Sequence, residues 1–263
     1  MVANVQDIKR WESVEAERSA SEAKRHETSD LRIRQDIIER YSNPPADTFH
    51  ALEYSYHLLG DVRGETVLDY GCGAGENTVL AASRGAKVIG VDISPELIEL
   101  AEKRLEAHNL SENVEFRVGS AHELPLEDES VDVVLGIAIL HHLDLKLASR
   151  EVFRVLKKGG RAIFSEPVRN SKFIAFIRSL IPYEQPDLSP FERPLTDAEL
   201  KGFAAEFSKY KSRAFSLPFV NLVEVLGLPD KAQHAAMNID GAILRKAPVL
   251  GYYASVRVIE LTK

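Results

Sequence analysis

What this 263-residue chain has little of narrows its possibilities first. It has one cysteine, Cys72, so no disulfide can form within the chain, which fits a reducing compartment. It has no apolar run long enough to cross a bilayer, and its first residues are charged where a secretory leader would be apolar. Basic residues are not in excess: the net charge is −7, against the basic face that a nucleic-acid backbone demands. No internal repeat is present. The expectation is a cytoplasmic protein without a nucleic-acid or membrane partner. What remains is ordinary, 44% hydrophobic and 28% charged, and long enough to bury one full α/β core.

Three regions follow from the rhythm of the chain. Residues 1–60 read as a helical cap. Their first forty are rich in both signs of charge, as in a solvated helix or a tail that orders only over a neighbour. Ile33, Ile37, Ile38 and Tyr41 then fall at helical spacing, Asn43-Pro44-Pro45 stops that helix, and a second runs from Thr48 to Leu59. Residues 61–168 alternate short apolar strands with helices, the pattern of a parallel sheet covered on both faces. The spacing predicts strands over 66–69, 87–92, 114–118, 131–139 and 161–165, the last following a turn at Gly159-Gly160. Residues 169–263 hold a Pro/aromatic stretch with Phe173, Phe176, Tyr183 and Phe191, read as a lid. After it come a capping box at Thr196-Asp197-Ala198-Glu199, a strand over 213–220, helix over 221–248 and a final antiparallel strand over 252–261.

The informative stretch is Val67-Leu68-Asp69-Tyr70-Gly71-Cys72-Gly73-Ala74-Gly75-Glu76. An apolar strand ends in an acid, glycines follow at alternate positions, and a helix begins. Glycine supplies positive φ and a backbone bare enough for a ligand, while the helix N-terminus offers unpaired N–H groups. A dinucleotide fingerprint would read G-x-G-x-x-G, but position 76 is glutamate. Asp69, at the strand end, would repel a pyrophosphate and suits an ammonium group. Asp92 ends the next strand about twenty residues on, where an acid accepts ribose hydroxyls. The ligand implied has a ribose, no phosphates and a cationic end.

These residues resemble motif I of the class I S-adenosylmethionine-dependent methyltransferases. Val91-Asp92-Ile93-Ser94 is similar to their motif II, and Ser120-Ala121-His122-Glu123-Leu124-Pro125 to the stretch that meets adenine. Leu140-His141-His142-Leu143 and Arg154-Val155-Leu156-Lys157-Lys158-Gly159-Gly160 resemble the small-molecule subgroup called methyltransferase type 11. The resemblance implies a Rossmann-like seven-stranded, mostly parallel sheet, S-adenosyl-L-methionine as cofactor and a small metabolite as methyl acceptor. Residue by residue it implies that Tyr70, Gly71, Cys72, Gly73 and Gly75 form the cofactor loop, with Asp69 toward the amino group. It implies Asp92 on the ribose, Ile93 and Ala121 at the adenine, and the carbonyl of Ile137 at the methionine ammonium. Position 120 is usually aspartate, the acceptor for the adenine amino group; here it is Ser120, and His122 or a main-chain carbonyl is the alternative.

Methyl transfer from a sulfonium is an in-line displacement, so the protein chiefly has to position the acceptor, and a base is needed only if the acceptor carries a proton. His141 is the candidate base or latch, with Tyr41, Tyr54 or Tyr56 as its partner; the plain alternative is that His141-His142 only orders the loop. Glu166, at the end of the fifth strand, either orients an amine, accepts a proton, or anchors the Pro167 turn. Ser42-Asn43-Pro44-Pro45-Ala46 is similar to the N-P-P-aromatic tetrad of amide-methylating enzymes, but it precedes the first strand and ends in alanine, so it is rejected. No metal is expected. Two rival readings stay open: a nucleotide-cofactor oxidoreductase, and a protein that binds the cofactor without transferring methyl.

Overall fold

Alternation within each apolar run sorts its side chains onto two faces. Along the strands, Val67, Val133, Leu135, Ile163 and Val258 go one way and Leu68, Val134, Ala162, Phe164 and Ile259 the other. Both faces are buried, and so the runs read as nearly continuous apolar stretches. A computed structural model describes residues 5–26, 31–172, 176, 192–217 and 229–263. In it the strands are β1 (Thr66–Tyr70), β2 (Lys87–Asp92), β3 (Val114–Val118), β4 (Val131–Ile137), β5 (Leu156–Pro167), β6 (Lys209–Phe215) and β7 (Val256–Thr262). They form one sheet in the order β3-β2-β1-β4-β5-β7-β6. β7 is antiparallel to both neighbours, and the other pairs are parallel. This is the fold class expected from the sequence.

The described helices are α1 (Val5–His26), α2 (Gln35–Ser42), α3 (Ala51–Leu59), α4 (Glu76–Ala82), α5 (Pro95–Ala107), α6 (Leu145–Val155), α7 (Asp197–Phe203) and α8 (Asp230–Lys246). α3 and α4 cover one face through Tyr56, Leu59, Leu80 and Ala81; α6 and α7 cover the other through Val152, Val155, Leu200 and Phe203. Each fully buried large side chain of this kind stabilises the fold by roughly 1.5–3 kcal/mol. α5 starts where expected: the Ser94 hydroxyl accepts from the Leu97 amide and Pro95 takes the first turn. The Thr196–Glu199 capping box is formed in both directions. No described helix is long and apolar enough to cross a membrane.

Several boundaries differ from the sequence expectation. β5 begins at Leu156, and Gly159-Gly160 falls inside it: the pairing jumps from Val131–Leu156 to Val133–Arg161, so the glycines form a bulge rather than a turn. β6 is Lys209–Phe215, set by its register with β7, rather than 213–220. The last strand starts at Val256, because Pro248–Tyr253 is wound into 3-10 turns. α7 ends at Phe203. Most of the Pro/aromatic stretch, with Phe173, Tyr183 and Phe191, lies outside the described residues, as do 218–228.

Candidate cofactor and active site

The strand order reverses between β1 and β4, so the loops after these strands leave toward opposite faces and open a crevice at their carboxyl ends. A cavity of about 180 Å³ occupies it, lined by Tyr70, Gly71, Asp92, Ile93, Ala121, His122, Ile139 and His142 from the sheet side. The roof is α1, through Ile8, Trp11, Glu12, Glu15 and Ser19. That volume lies below the roughly 300–1,000 Å³ of most small-molecule sites because α1 lies across the mouth.

The glycine loop is shaped as its composition requires. The amides of Gly71 and Cys72 both donate to the Val91 carbonyl, tying the loop to β2. Gly71 has φ +75, and a Cβ there would stand 2.6 Å from the Ile139 side chain; Gly73 has φ +51 and no atom within 4 Å of the same point. The first glycine therefore lets the β4 loop close over it, and the second leaves its flank open to a ligand. Asp92 joins the loop to the next turn: one carboxylate oxygen accepts from the Gly73 amide at 2.9 Å and the other from the Ser94 amide at 3.0 Å. A carboxylate has acceptor capacity for about four bonds, so ribose hydroxyls can be taken in addition. The residues fit a ribose-bearing ligand.

Other expected cofactor residues serve the loop from behind. Asp69 is buried and accepts from the Thr78 hydroxyl at 2.6 Å. Burial raises its pKa to about 7, helped by the charges of Asp92 and Glu76 and opposed by the Thr78 hydrogen bond. The Tyr70 hydroxyl donates to the Ala121 carbonyl at 2.6 Å and so positions the loop after β3. Cys72 is buried beside Gly90, and burial pushes its thiol pKa well up, so it packs the loop and is no nucleophile. Gly75 caps α4 in the left-handed conformation, and the Ile137 side chain packs toward the α3–α4 face.

Sequence reasoning missed α1. Glu12 accepts from the Ser120 hydroxyl at 2.5 Å and faces His122 Nδ1 at 2.9 Å. Because His122 Nε2 accepts from the Asp144 amide at 3.0 Å, Nδ1 carries the proton and donates to Glu12. His122 is thus occupied at both nitrogens, and the carboxylate beside Ser120 and Ala121 comes from Glu12. Burial works against ionisation of Glu12, but the His122 and Ser120 bonds outweigh it and hold its pKa below the ordinary value. Burial raises the Glu15 pKa, with Arg18 opposing and Glu192 and Asp92 adding to the rise. Glu15, His142 and Glu192 bring three metal-ligand atoms within 4.8 Å of one another, but Arg18 donates to Glu192 and already supplies a cation there. Glu12, Glu15 and Asp92 give the cavity a negative lining, which favours a cationic guest.

The loop after β4 is held by Glu166. Its carboxylate, 1% exposed, accepts from the amides of Ile139 and Leu140 at 2.9 and 2.8 Å and from that of His141 at 3.4 Å, and meets His141 Nδ1 at 2.9 Å. Ala138 in this loop has φ +55, a strained conformation for a residue with a Cβ. Glu166 is therefore an anchor, enclosed by the backbone it binds, and not a base open to an acceptor. His142, rather than His141, lines the cavity, with the two rings 4.1 Å apart. Burial drives the His142 pKa down to about 3, with His141 and Arg18 adding to the fall, so it is neutral at physiological pH.

Tyr41 is not brought to this site. It packs on Tyr56, and Arg84 donates to the carbonyls of both residues, binding α2 and α3 to the far end of α4. Tyr56 is fully buried with its hydroxyl on Asn77, and Tyr54 stacks near His57 and Phe215. None of the three tyrosines meets His141. The tyrosines were chosen by residue type, whereas their helix face points them at α4 and β6.

Known proteins resemble this chain over the region just described. Residues 61–201 match a family model described as a methyltransferase domain. The chain is 43% identical over 114 residues to an arsenite methyltransferase of Halobacterium salinarum, covering 42% of this chain and 29% of that one. It is 36% identical over 135 residues to a demethylmenaquinone methyltransferase of Lactococcus lactis, covering 48% and 53%. The matches thus span about half or less of these relatives' own length. Among solved structures, geranyl diphosphate C-methyltransferase from Streptomyces coelicolor A3(2) superposes with a TM-score of 0.55 at 20% identity, covering 79% of this chain and 76% of the other. At that identity the likeness concerns the fold.

Proposed function

This chain belongs to the methyltransferase-domain family, and we propose that it moves the methyl group of S-adenosylmethionine to a small-molecule acceptor. One observation carries the reading: a carboxylate-lined cavity at the β1–β4 reversal, with Asp92 fixed by the Gly73 and Ser94 amides and Glu12 and Glu15 above it. A phosphate-bearing dinucleotide would meet like charge there; a nucleoside carrying sulfonium and ammonium groups meets opposite charge. When bound, the cofactor supplies an already activated methyl group.

The chain's own residues then have three tasks. Asp92 accepts the ribose hydroxyls, while Gly71 and Gly73 let the backbone close on the ligand. Ile93 and Ala121 flank the adenine, and Glu12 brings the carboxylate that position 120 lacks to its amino group. The Ile137 carbonyl is the acceptor offered to the methionine ammonium, while Asp69 supports the glycine loop from behind through Thr78. Glu166 orders the 139–141 loop and fixes the His141 ring: with Nδ1–H donating to Glu166, Nε2 is the nitrogen left to accept a proton from an acceptor hydroxyl or thiol, and because His141 does not line the present cavity that role requires the opened site. α1 closes the site against water, and it must move outward to admit a ligand larger than the present cavity.

The test is incubation of the full chain with methyl-labelled S-adenosylmethionine and a fractionated cell extract, followed by mass identification of labelled product. Labelled product together with S-adenosylhomocysteine is expected. Micromolar binding of S-adenosylhomocysteine without product from any fraction would leave a cofactor-binding protein that transfers nothing. Binding of NAD(H) in place of S-adenosylhomocysteine would return the site to the oxidoreductase reading.

A further inference from the structure

A second cavity, of about 450 Å³, is larger than the first and shares no lining residue with it. It lies beyond β6, at the sheet edge. Its walls are the end of that strand (Ser212–Phe215), the Ala46–Phe49 approach to α3, and Gly241, Leu244 and Arg245 of α8. Phe215 pairs with Val256, and Val256 with Pro167, so the cavity sits at the same end of the sheet as Glu166 but two strands to the side.

Three guanidinium groups line it, and they differ in what holds them. Arg257 is neutralised by a two-pronged contact with Asp197. Arg213 is held without a carboxylate: it donates to the carbonyls of Ala46 and Thr48 at 2.6 Å each, and lies 4.6 Å from the Tyr54 ring and 4.8 Å from the Phe215 ring. Arg245 lies 4.6 Å over the Phe49 ring, and no carboxylate among the described residues pairs with it. Among the described residues, the only acid on the wall is the exposed Asp47. Burial pulls the Arg213 pKa down, and the neighbouring Arg245 adds repulsion that Tyr54 and Asp47 partly offset. Two cations are thus kept close together by rings and main-chain oxygens.

The apolar wall is built for the same place. Gly241 sits inside α8, where glycine is less favourable than alanine. A Cβ there would stand 1.9 Å from the Phe49 ring. The glycine is what allows Phe49 to lie against α8 and carry Arg245. Phe215, Leu244 and Pro248 complete an apolar floor.

We propose that this cavity is a binding site for an organic anion, a phosphate or carboxylate group on an apolar, ring-sized body. The anionic group would lie between Arg213 and Arg245, where a forked guanidinium gives charge-assisted hydrogen bonds, and the body against Phe49, Phe215 and Leu244. The site is separate from the methyl-transfer site and does not depend on that function.

Calorimetry on the full chain with phenyl phosphate, benzoate and inorganic phosphate tests it. One-to-one, sub-millimolar binding of phenyl phosphate or benzoate is expected, tighter than inorganic phosphate, with the better of the two naming the anionic group. Arg245→Glu, at an exposed position whose described contact is the Phe49 ring, should weaken binding at least about tenfold while leaving S-adenosylhomocysteine affinity unchanged. Arg213→Lys keeps the charge but gives up the fork and with it bonds to the Ala46 and Thr48 carbonyls, so it should weaken binding and lower the melting temperature. No binding of either aromatic anion to the wild-type chain would overturn the proposal. So would equal binding by Arg245→Glu, or competition between phenyl phosphate and S-adenosylhomocysteine, which would place the anion in the first cavity.

Discussion

Asp69→Asn gives the sharpest test of how the strand-end carboxylates are held. The Asp69 carboxyl is 1% exposed, and burial raises its pKa from 3.8 to about 7. A folded-state pKa above the unfolded one means that the folded chain binds this proton more tightly. Its contribution to stability is therefore complete below about pH 4 and is lost as pH rises through 7. Three pKa units correspond to about 4 kcal/mol in total, of which about 2.6 kcal/mol falls between pH 5 and pH 8. Asparagine keeps the acceptor for the Thr78 hydroxyl but does not titrate. Whatever fixed cost its amide brings, the difference in unfolding free energy between variant and wild type should move in favour of the variant by about 2–3 kcal/mol from pH 5 to pH 8. Urea unfolding of both chains at the two pH values, without ligand, measures this directly. A difference that does not change with pH would refute the reasoning, because a carboxyl with an ordinary pKa would already be ionised at pH 5.

Glu166→Ala strands three buried amides and the His141 ring, and should destabilise the fold by about 3–5 kcal/mol in urea unfolding, with Glu166→Gln recovering part. Asp92→Ala should weaken S-adenosylhomocysteine binding at least about a hundredfold by calorimetry, since it removes two loop contacts and the ribose acceptor together. Glu12→Ala should weaken the same binding about tenfold and speed dissociation; unchanged affinity would remove α1 from the site. His141→Ala should spare binding and, where the acceptor carries a proton, lower turnover by about 10²–10⁴-fold, whereas unchanged turnover would reduce that histidine to a loop-ordering role.

The sheet was legible where its causes are local. β1, β2, β3 and β4 are β-branched runs ended by glycine, acid or turn residues, and those signals act within a few positions. β6 was misplaced because its cause is remote. Lys209-Tyr210-Lys211-Ser212-Arg213 is polar enough to pass for a loop, and it becomes a strand only through its register with β7, from Lys209–Thr262 to Phe215–Val256. The far end of the expected strand, 218–220, lies outside the described residues. Gly159-Gly160 misled in the same way, since two glycines mark a bulge as readily as a turn and only the pairing with β4 distinguishes them.

The site divides along the same line. The glycine loop and Asp92 are placed by a strand end and a helix start, and Ala121 by its resemblance to the family's adenine stretch, so their proposed roles rest on continuous motifs. α1 belongs to no such motif. Its charged composition suggested a solvated helix, because a helix face that lines a charged cavity carries the same residue types as a face turned to water. The distinguishing signal was present all the same. Ile8, then the adjacent Trp11 and Glu12, then Glu15 and Ser19 recur every three or four residues, so the helix's one tryptophan and a buried isoleucine share their stripe with two glutamates. A solvated face has no reason to place Trp11 between Ile8 and Glu15. An acidic stripe that includes large apolar groups is what a roof over a cationic, partly apolar guest requires, and at Ser120 that roof returns the carboxylate the loop lacks.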